Sequence, residues 1–379
     1  MKSNYNQLGQ YIEMVSRTNS DLKYGIEDVR GCSNTKQMMQ TRANLIGRTY
    51  EKFIVLKPRE FVFNRRTTRN GEKIGMAYNN SDREYIFTND YVAFRVKREY
   101  LDKLLPDYLY LFFCRDEFDR YARYKSTGSA TEFFNWEDMC AVPFEIPPMD
   151  FQQLVVNTYK VLNERIEIKR KINDNLEATL AALYKEFFNI TSSDTLPFGW
   201  RIAPFSDIAT VTMGQSPKGD DCNNAGIGEP LLNGPTEFGF YSPSPVQWTT
   251  NGKKHCVEGD LLFCVRGSTT GRMNWANQSY AIGRGLAAIH HKSDCTLNWF
   301  VKAMIDNSLQ EILSAATGST FPNVGKDLLN GFQVIIPDDN FLRKFGVKGH
   351  SIFSMISNNA KEIDVLLGLR RTLSSKLTI

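Results

Sequence analysis

The sequence lacks the motifs by which many enzymes of this length bind nucleotides or perform chemistry. It contains no G-x-x-x-x-G-K-[ST] loop for nucleotide phosphates and no D/N-P-P-Y/F tetrapeptide, the mark of amino-methyltransferases. Only 4 histidines occur, and the adjacent His290 and His291 would point to opposite faces of a strand. His255 and His350 have no partner at ligand spacing. We therefore predict a non-catalytic protein without a bound metal.

Cysteine pairs and long apolar runs are also missing. The 7 cysteines are an odd number, and no two are spaced C-x-x-C. We expect reduced thiols in a cytoplasmic protein rather than disulfides or a zinc site. No apolar run reaches the roughly 18 residues of a membrane span, and the first residues lack the apolar core of a signal peptide. A chain of 379 residues exceeds one compact core, which predicts two or three domains.

The chain contains an internal repeat, which decides its architecture. The stretch TGSATEFFNWEDMCAVPFEIPP begins at Thr127, and TGSTFPNVGKDLLNGFQVIIPD begins 190 positions later at Thr317. Both predict a small-residue turn followed by an apolar strand that ends in proline. Further upstream, PREFVFNRRTTRNG aligns with EGDLLFCVRGSTTG at a spacing of 200, which matches Arg66 with Arg266. The repeat predicts two similar domains.

A long segment without proline follows each copy, and its apolar residues recur with the period of about 3.5 of a coiled coil. The stripe on each helix buries most simply against the other, so we predict two antiparallel helices of about 39 residues and about 58 Å. Gly346 and Gly349 should make the second helix begin late or fray. The predicted seam contains Leu162, Ile166, Leu176, Leu183, Ile356, Ile363, Leu366 and Leu373.

Short apolar runs separated by Gly, Asn, Ser and Pro precede each helix and are typical of strands and turns. Examples are KFIVL, YVAFRV, LLFCVR and GLAAIHH, whereas DYLYLFFCRDEFDRYARY and LNWFVKAMIDNSLQEILSAA have helical patterns. The predicted fold class is α+β, with two similar β-rich domains separated by two long antiparallel coiled-coil helices and related by an approximate two-fold axis. The boundaries are 1–150 for the first domain, 151–190 for the central helix, 191–340 for the second domain and 341–379 for the C-terminal helix.

Basic residues concentrate in the repeated stretch, although the net charge is only +4. Residues 41–75 contain nine Lys or Arg and three acids, and residues 264–292 contain four and no acid. Arginine reads guanine edges, Asn and Gln read adenine, and hydroxyls hold phosphates, so this inventory favours DNA. A solvated basic loop is the competing interpretation. We expect no acid near Arg66 or Arg266. The predicted DNA-binding residues are Arg65, Arg66, Arg69, Lys73, Lys125, Arg266, Ser268, Thr270, Arg272, Arg284, Ser319 and Thr320.

Other conspicuous side chains have structural interpretations. The aromatic cluster of Phe133, Phe134 and Trp136 is expected to pack in a core rather than to stack on bases. The acid pairs Glu137–Asp138 and Asp220–Asp221 lie in polar loops, where we expect them to cap backbone amides or to face solvent.

The order of these pieces, twice over and with a helical segment after each, resembles the DNA-specificity subunit of a type I restriction–modification system. The resemblance covers nearly the whole chain. In the first copy it depends on LKYGIEDVRGCSNTKQ, KPREFVFNRRTTRNGEKIGMAY and FDRYARYKSTGSATEFFNWEDM. In the second it depends on LPFGWRIAPFSDIATVTMGQSP, EGDLLFCVRGSTTGRMNWANQSYAIGRGLAAI and ATGSTFPNVGKDLLNGFQVIIP. The turn differs between copies, TGSTFPN against TGSATEFFN, so a role for it is better supported at Ser319 and Thr320 than at Ser129.

The resemblance implies that each domain is a target-recognition domain for one half of a bipartite double-stranded DNA site. The helices would fix the gap between the halves and dock two methyltransferase subunits, and motor–nuclease subunits would complete a complex that methylates DNA and defends against phage. S-adenosylmethionine, ATP and magnesium would bind those partners, and this chain would hold no cofactor. It would act in the cytoplasm of a bacterium or archaeon, associated with the nucleoid.

Two other classes of protein compete with this interpretation. The first is a non-catalytic scaffold whose two heads bind proteins on a coiled-coil rod. The second is a self-sufficient enzyme, if this chain were one fragment of a fused polypeptide. Salt dependence separates DNA reading from scaffolding, because DNA binding releases counterions and weakens as salt rises.

Overall fold

The computed structural model describes residues 6–41, 45, 47–67, 73–128, 132–188, 195–239, 241–318 and 322–375. The chain divides into two compact units. Unit 1 comprises residues 1–166 and 365–379, and unit 2 comprises residues 167–364. Each unit is rich in short strands and contains part of each of two long helices.

Unit 1 forms its strands where the sequence has short apolar runs, since KFIVL and YVAFRV supply its fourth and eighth strands. The strands are β1 (Ile12–Val15), β2 (Arg30–Cys32), β3 (Met38–Gln40), β4 (Ile54–Leu56), β5 (Phe61–Asn64), β6 (Met76–Tyr78), β7 (Tyr85–Phe87) and β8 (Tyr91–Val96). The helices are α1 (Pro106–Phe113), α2 (Asp116–Lys125), α3 (Trp136–Cys140) and α4 (Met149–Phe188), of which α4 continues into unit 2.

Unit 2 likewise forms its strands at short apolar runs, and LLFCVR and GLAAIHH supply two of its central strands. The strands are β9 (Arg201–Pro204), β10 (Ala209–Met213), β11 (Cys222–Asn223), β12 (Glu229–Leu232), β13 (Gln247–Thr249), β14 (His255–Cys256), β15 (Leu261–Cys264), β16 (Met273–Trp275), β17 (Tyr280–Ile282), β18 (Leu286–His291) and β19 (Gln333–Ile336). The helices are α5 (Asn298–Ser314), α6 (Lys326–Gly331) and α7 (Asp339–Ser375), of which α7 continues into unit 1.

The two units share one sheet topology. The order is β1-β8-β5-β6 in unit 1 and β10-β18-β15-β16 in unit 2, and all neighbours in both sheets are antiparallel. A second antiparallel pair also recurs, as β4 with β7 and as β14 with β17. The repeat predicted from the sequence is therefore a repeat of the fold, and the mixed helix-and-strand class with β-rich units is confirmed.

The same turn leads into the matching strands β5 and β15. The Lys57 amide donates a hydrogen bond to Glu60 Oε2 at 2.8 Å, and the Val257 amide donates one to Asp260 Oδ2 at 3.0 Å. Both carboxylate residues are buried. An acid in the same position closes the same turn in each unit, so the resemblance between the copies extends to single hydrogen bonds.

Aromatic packing fills the core of unit 1. Phe61 and Phe94 stack with ring centroids 5.0 Å apart. Phe134 is fully buried and meets Phe63 at 5.9 Å and Phe118 at 6.2 Å. The prediction that the aromatic cluster packs in a core is therefore confirmed at Phe134.

The apolar run after the first T-G-S turn was predicted to be a strand, and that prediction is wrong. Its backbone makes isolated hydrogen bonds instead: the Leu8 amide donates to the Val142 carbonyl and the Phe144 amide to the Asn6 carbonyl, each at 2.9 Å. Pro143 interrupts the run and has no amide hydrogen, so a continuous ladder cannot form there. The matching run in unit 2 has no internal proline and forms β19, which pairs with β9.

The second long helix, α7, begins at Asp339, so the predicted late start is wrong. Its first turn is capped, because Asp338 Oδ1 accepts hydrogen bonds from the amides of Asn340 at 2.9 Å and Phe341 at 3.1 Å. An acid at a helix N-terminus also suits the helix dipole. Capping stabilises the turns that the glycines were expected to weaken.

The two glycines of α7 have a packing role. A Cβ on Gly346 would lie 2.6 Å from Leu297 Cδ2, and a Cβ on Gly349 would lie 1.9 Å from Trp299 Cζ2. Both distances are far below van der Waals contact. Glycine therefore lets the start of α5 approach the backbone of α7, and packing outweighs the helix propensity that the sequence argument used.

Within unit 2, α4 and α7 run antiparallel. The Asn173 side chain donates to the Ile356 carbonyl at 3.2 Å, the Asn359 side chain donates to Asn173 Oδ1 at 2.8 Å, and Lys169 pairs with Glu362 at 2.7 Å. The residue numbers increase along α4 while the numbers of their partners on α7 decrease, as expected for antiparallel helices. Polar residues thus hold the register at the place where the apolar pattern is interrupted.

Within unit 1 the end of α7 meets α4. Arg370 donates to Asn163 Oδ1 at 2.8 Å, and its guanidinium lies 5.9 Å from the centroid of the Tyr159 ring.

The predicted seam residues of both units have buried or half-buried side chains, namely Leu162, Ile166, Leu176, Leu183, Ile356, Ile363, Leu366 and Leu373. Leu377, a further apolar position of the pattern, lies outside the described residues.

Candidate nucleic-acid interface

In unit 1 a short bridge network holds the backbone of Arg66. Phe133 forms antiparallel bridges with both Arg66 and Thr127. The Thr127 amide donates to the Phe133 carbonyl at 3.2 Å, the Phe133 amide donates back at 2.9 Å, and the Phe134 amide donates to the Arg65 carbonyl at 2.8 Å. The T-G-S turn therefore fastens the arginine stretch that follows β5.

Unit 2 builds the same network from different side chains. Asn323 forms antiparallel bridges with Arg266 and Thr317. The Thr317 amide donates to the Asn323 carbonyl at 3.1 Å, the Asn323 amide donates back at 2.6 Å, and the Val324 amide donates to the Val265 carbonyl at 2.9 Å. The spacings of 200 at the arginine and 190 at the threonine, read from the sequence, are the spacings of this network.

The two arginines of unit 1 have partners within the chain. Arg65 Nη2 donates to Asn135 Oδ1 at 3.0 Å, and its guanidinium lies 5.6 Å from the Phe133 ring centroid. Arg66 Nη2 lies 3.9 Å from Asp90 Oδ1, so the expectation that no acid lies near Arg66 is wrong. Asp90 comes from the turn before β8. Because both side chains of this pair are more than half exposed, the attraction between Arg66 and Asp90 is weak.

The other predicted cations of unit 1 lie at the two ends of α2. Lys73 Nζ is 3.5 Å from Asp116 Oδ1 in the first turn of the helix. Lys125, the last residue of the helix, lies 5.9 Å from the Tyr121 ring centroid and 5.8 Å from that of Tyr124. The solvent side of α2 therefore borders the arginine stretch.

A buried ion pair that the sequence argument missed anchors the backbone beside Lys73. Lys36 is 3% exposed and pairs with the buried carboxylate of Asp119. Lys36 Nζ donates to the Ile74 carbonyl at 2.8 Å, and the Ile74 amide donates to Asp119 Oδ1 at 3.0 Å. Burial lowers the pKa of Lys36, and Asp119 opposes that shift. No local pattern joins residues 36 and 119, so sequence periodicity gives no signal for this pair.

The predicted cations of unit 2 have fewer side-chain partners than those of unit 1 among the described residues. Arg266, Arg272 and Arg284 are exposed, and none of them forms an ion pair or a side-chain hydrogen bond within the described part of the chain. Ser268 is exposed as well. Guanidinium groups without such partners can bind phosphate oxygens or guanine edges without first breaking a contact.

Thr270 is the one described residue of the unit 2 set whose hydroxyl is already used. Its Oγ1 lies 2.8 Å from the Gly267 carbonyl and 2.9 Å from the Pro322 carbonyl. Thr270 thus stabilises the turn that presents the neighbouring arginines. The remaining predicted contacts lie outside the described residues, namely Arg69, Ser319 and Thr320.

A further segment of unit 2 lies beside Arg284. The Gln215 amide donates to the Ile282 carbonyl at 2.9 Å, and the Arg284 amide donates to Ser216 Oγ at 3.2 Å. Gln215, Ser216 and the nearby Lys218 are exposed. The stretch GQSP was noted only for its resemblance, since a separation of about seventy positions hides its proximity to Arg284 from any local pattern.

The two adjacent histidines lie beside polar groups of unit 2. His290 Nδ1 lies 3.2 Å from Asp260 Oδ1, and His291 Nδ1 accepts hydrogen bonds from the amides of Ser293 at 3.4 Å and Asp294 at 3.1 Å. The described ranges contain no cluster of three or more His, Cys, Asp or Glu placed to hold a metal. Nor does any helix in those ranges combine the length and apolarity needed to cross a membrane.

Comparison with known families agrees with this geometry. Residues 19–178 match the model of the type I restriction modification DNA specificity domain. That range begins after β1 and ends within α4, so it contains the arginine stretch and the bridge network of unit 1.

Two curated proteins of Methanocaldococcus jannaschii are similar to the chain. The putative type I restriction enzyme MjaX specificity subunit is 26% identical over 204 residues, which cover 51% of this chain and 48% of that protein. The type I restriction enzyme MjaIX specificity subunit is 24% identical over 297 residues, covering 73% and 69%. The match thus spans about half the length of the first relative and about two thirds of the second.

A solved structure shares the fold. The crystal structure of a type I restriction–modification system S subunit from M. genitalium has a TM-score of 0.54 and 14% identity, and covers 100% of this chain and 98% of that one. Residues 19–178 of the chain are thus similar to the type I DNA-specificity family. The resemblance noted from the sequence is confirmed.

Proposed function

We propose that the chain is a non-catalytic DNA-reading subunit in which each unit recognises one half of a bipartite site on double-stranded DNA. The observation that carries the proposal is the bridge network built twice, once around Arg66 and once around Arg266. A surface loop without a shared ligand has no reason to keep the same backbone frame around an arginine in two diverged copies. The named relatives are type I specificity subunits, which supports the same function.

The chemistry of each unit fits readout of a duplex. Guanidinium groups bind guanine edges in a bidentate fashion and bind phosphates, and exposed hydroxyl and amide side chains complete the contacts. Unit 1 presents Arg65, Arg66 and Lys73, whereas unit 2 presents Arg266, Arg272 and Arg284. Because the surrounding side chains differ, the two half-sites should differ in sequence.

The long helices are proposed to set the gap between the half-sites. On this proposal α4 and α7 form an antiparallel coiled coil along the predicted seam, and an approximate two-fold axis relates the two copies. The same helices would dock two methyltransferase subunits, with motor–nuclease subunits added to the complex. S-adenosylmethionine, ATP and magnesium would bind those partners, and this chain would contribute recognition alone.

The salt dependence of DNA binding tests this function with the purified chain. Affinity for a mixed-sequence duplex of about 40 base pairs should fall about a hundredfold between roughly 50 and 200 mM salt, if about four phosphates are neutralised. Fluorescence anisotropy of a labelled duplex measures it. Replacing Arg266, Arg272 and Arg284 together by alanine should flatten the slope.

The matched control replaces Arg343 on α7, which is exposed and lies outside both arginine stretches. Arg343→Ala should leave the slope unchanged. If the chain does not bind duplex DNA, or binds it with an affinity that salt leaves constant, the DNA-reading function is refuted and a protein-binding scaffold becomes the better account.

A further inference from the structure

Unit 2 contains a ligand-sized cleft that is lined in part by the residues directly after Arg272. The cleft has a volume of about 490 Å³ and lies between the helices α4 and α7 and the sheet residues that follow β15. A smaller cavity of about 240 Å³ adjoins it and shares Glu177, Trp275 and Phe353 with it. Small-molecule sites are typically concave and of about 300–1,000 Å³, so the cleft has the size of a binding site.

Aromatic rings form its walls. Trp275 and Phe353 pack with ring centroids 4.5 Å apart, and the half-buried Tyr241 lines the same cleft. The Tyr241 hydroxyl donates to the Arg170 carbonyl at 3.4 Å. Ring faces attract cations and also cover the methylene groups of an alkyl chain.

The charged groups of the cleft leave a surplus of negative charge. Its two lysines are already paired, Lys302 with Asp306 at 2.6 Å and Lys361 with Glu258 at 3.2 Å. Asp174 and Glu177, on the α4 wall, form no ion pair or hydrogen bond within the described part of the chain. The two free carboxylates lie one helical turn apart on the same face of α4.

A polar side chain also lines the cleft. Asn274 is only 8% exposed, and its Oδ1 accepts a hydrogen bond from the Trp275 amide at 2.7 Å.

The electrostatic surroundings agree with a site for a cation. Burial, followed by the neighbouring Asp174 and Glu177, raises the pKa of Tyr241 to about 12. Partial burial, with Asp174 and Asp306 nearby, raises the pKa of Glu177 as well, and Lys302 opposes that shift. A cation bound in the cleft would relieve this local negative charge.

We propose that this cleft binds a linear polyamine, with ammonium groups on the carboxylates of Asp174 and Glu177 and methylene segments against Trp275 and Phe353. The walls combine acidic side chains with apolar rings. The ammonium and methylene groups of a polyamine are complementary to these two kinds of surface. The chain as a whole carries a net charge of +4, so a polycation is not drawn to its surface in general. Binding at this cleft would therefore be saturable and specific.

Isothermal titration of the full chain with spermidine, at low salt and without DNA, tests the proposal. One saturable site per chain is expected. The double variant Asp174→Asn with Glu177→Gln should weaken binding at least tenfold, because both ammonium partners are lost. Ser357→Trp, which fills the cleft from α7 and keeps its charges, should weaken binding to a similar extent.

Two controls make the result decisive. Glu311→Gln removes an exposed acid on α5 that does not line the cleft, and should bind spermidine as the parent chain does. Heptane-1,7-diol, which has methylenes but no charge, should not bind. The proposal is overturned by the absence of saturable binding, or by equal binding in the parent chain and in either cleft variant. Circular dichroism confirms that each variant is folded.

Discussion

At the scale of single residues, matched positions in the two units have different neighbours. Arg66 faces Asp90 across 3.9 Å, whereas Arg266 has no ion-pair partner among the described residues. The positions of both arginines could be predicted, because the repeat fixes them in the alignment. The neighbours could not, because Asp90 and the Lys36–Asp119 pair come from segments distant in sequence.

The first residue-scale prediction concerns these arginines. Arg266→Ala should cost about 1–3 kcal/mol of DNA binding, and should relax specificity in one half of the site only, if it contacts a base. Arg66→Ala should do the same for the other half. Sequencing of methylated sites in cells that carry the variant with its partner subunits measures both effects.

Asp90→Asn provides the matched control for the arginine pair. It releases Arg66 from a weak surface ion pair and should tighten binding slightly, by less than about 1 kcal/mol. If neither alanine variant changes affinity or the methylated sites, the arginines do not read DNA. Equal weakening on all sequences would instead assign them to phosphates.

The second residue-scale prediction concerns acid. His291 is buried, and its Nδ1 accepts two amide hydrogen bonds, so burial lowers its pKa below the ordinary value near 6.5. The unfolded chain then binds more protons than the folded chain as pH falls below about 6.5. Stability should decrease there by at most about 1.4 kcal/mol per pH unit from this group.

Urea unfolding followed by tryptophan fluorescence measures this loss. Four of the five tryptophans, Trp200, Trp248, Trp275 and Trp299, lie in unit 2 and report on it. His291→Asn keeps an acceptor for the two amides but cannot titrate. Its stability should therefore fall less between pH 7 and pH 5.5 than that of the parent chain, and an equal fall in both would exclude His291 as the cause.

At the scale of elements, the apolar runs and the helical periodicity predicted most strands and both long helices. Two local arguments failed for identifiable reasons. Pro143 removes the amide that a strand in the first copy would need, and the glycines of α7 are compensated by the cap at Asp338 and by contact with Leu297 and Trp299. Intrinsic propensity is a weak signal where a neighbouring element packs closely.

An alanine scan of the glycines of α7 tests this explanation. Gly349→Ala should destabilise the protein by about 1–3 kcal/mol, because its Cβ would lie 1.9 Å from the Trp299 ring. Gly368→Ala has nothing within 4 Å of its Cβ and should stabilise by up to about 1 kcal/mol. Urea unfolding compares the two. Equal effects would show that helix propensity, and not packing, decides this helix.

At the scale of the whole molecule, the duplication is the feature that connects sequence, fold and function. The spacings of 200 and 190 read from the sequence recur in the sheet order and in the bridge network. What could not be derived from the sequence is which side chains complete each unit, since these come from long-range contacts. The central claim is that two copies read two half-sites whose separation depends on the helices between them.

Lengthening both helices tests that claim most directly. One heptad is inserted after Ile166 in α4 and one after Asp364 in α7, where unit 1 and unit 2 meet along the chain, so that contacts within each unit are preserved. A heptad adds about 10 Å to a helix, or about three base pairs of duplex. Insertion into α4 alone is the control, and should abolish activity because the apolar stripes lose their register.

The measurement is the set of methylated sites in cells that carry the lengthened protein together with its partner subunits. The account predicts the same two half-sites with a spacer longer by about two to four base pairs. An active protein with an unchanged spacer would contradict it, because the separation of the half-sites would then not depend on the length of α4 and α7.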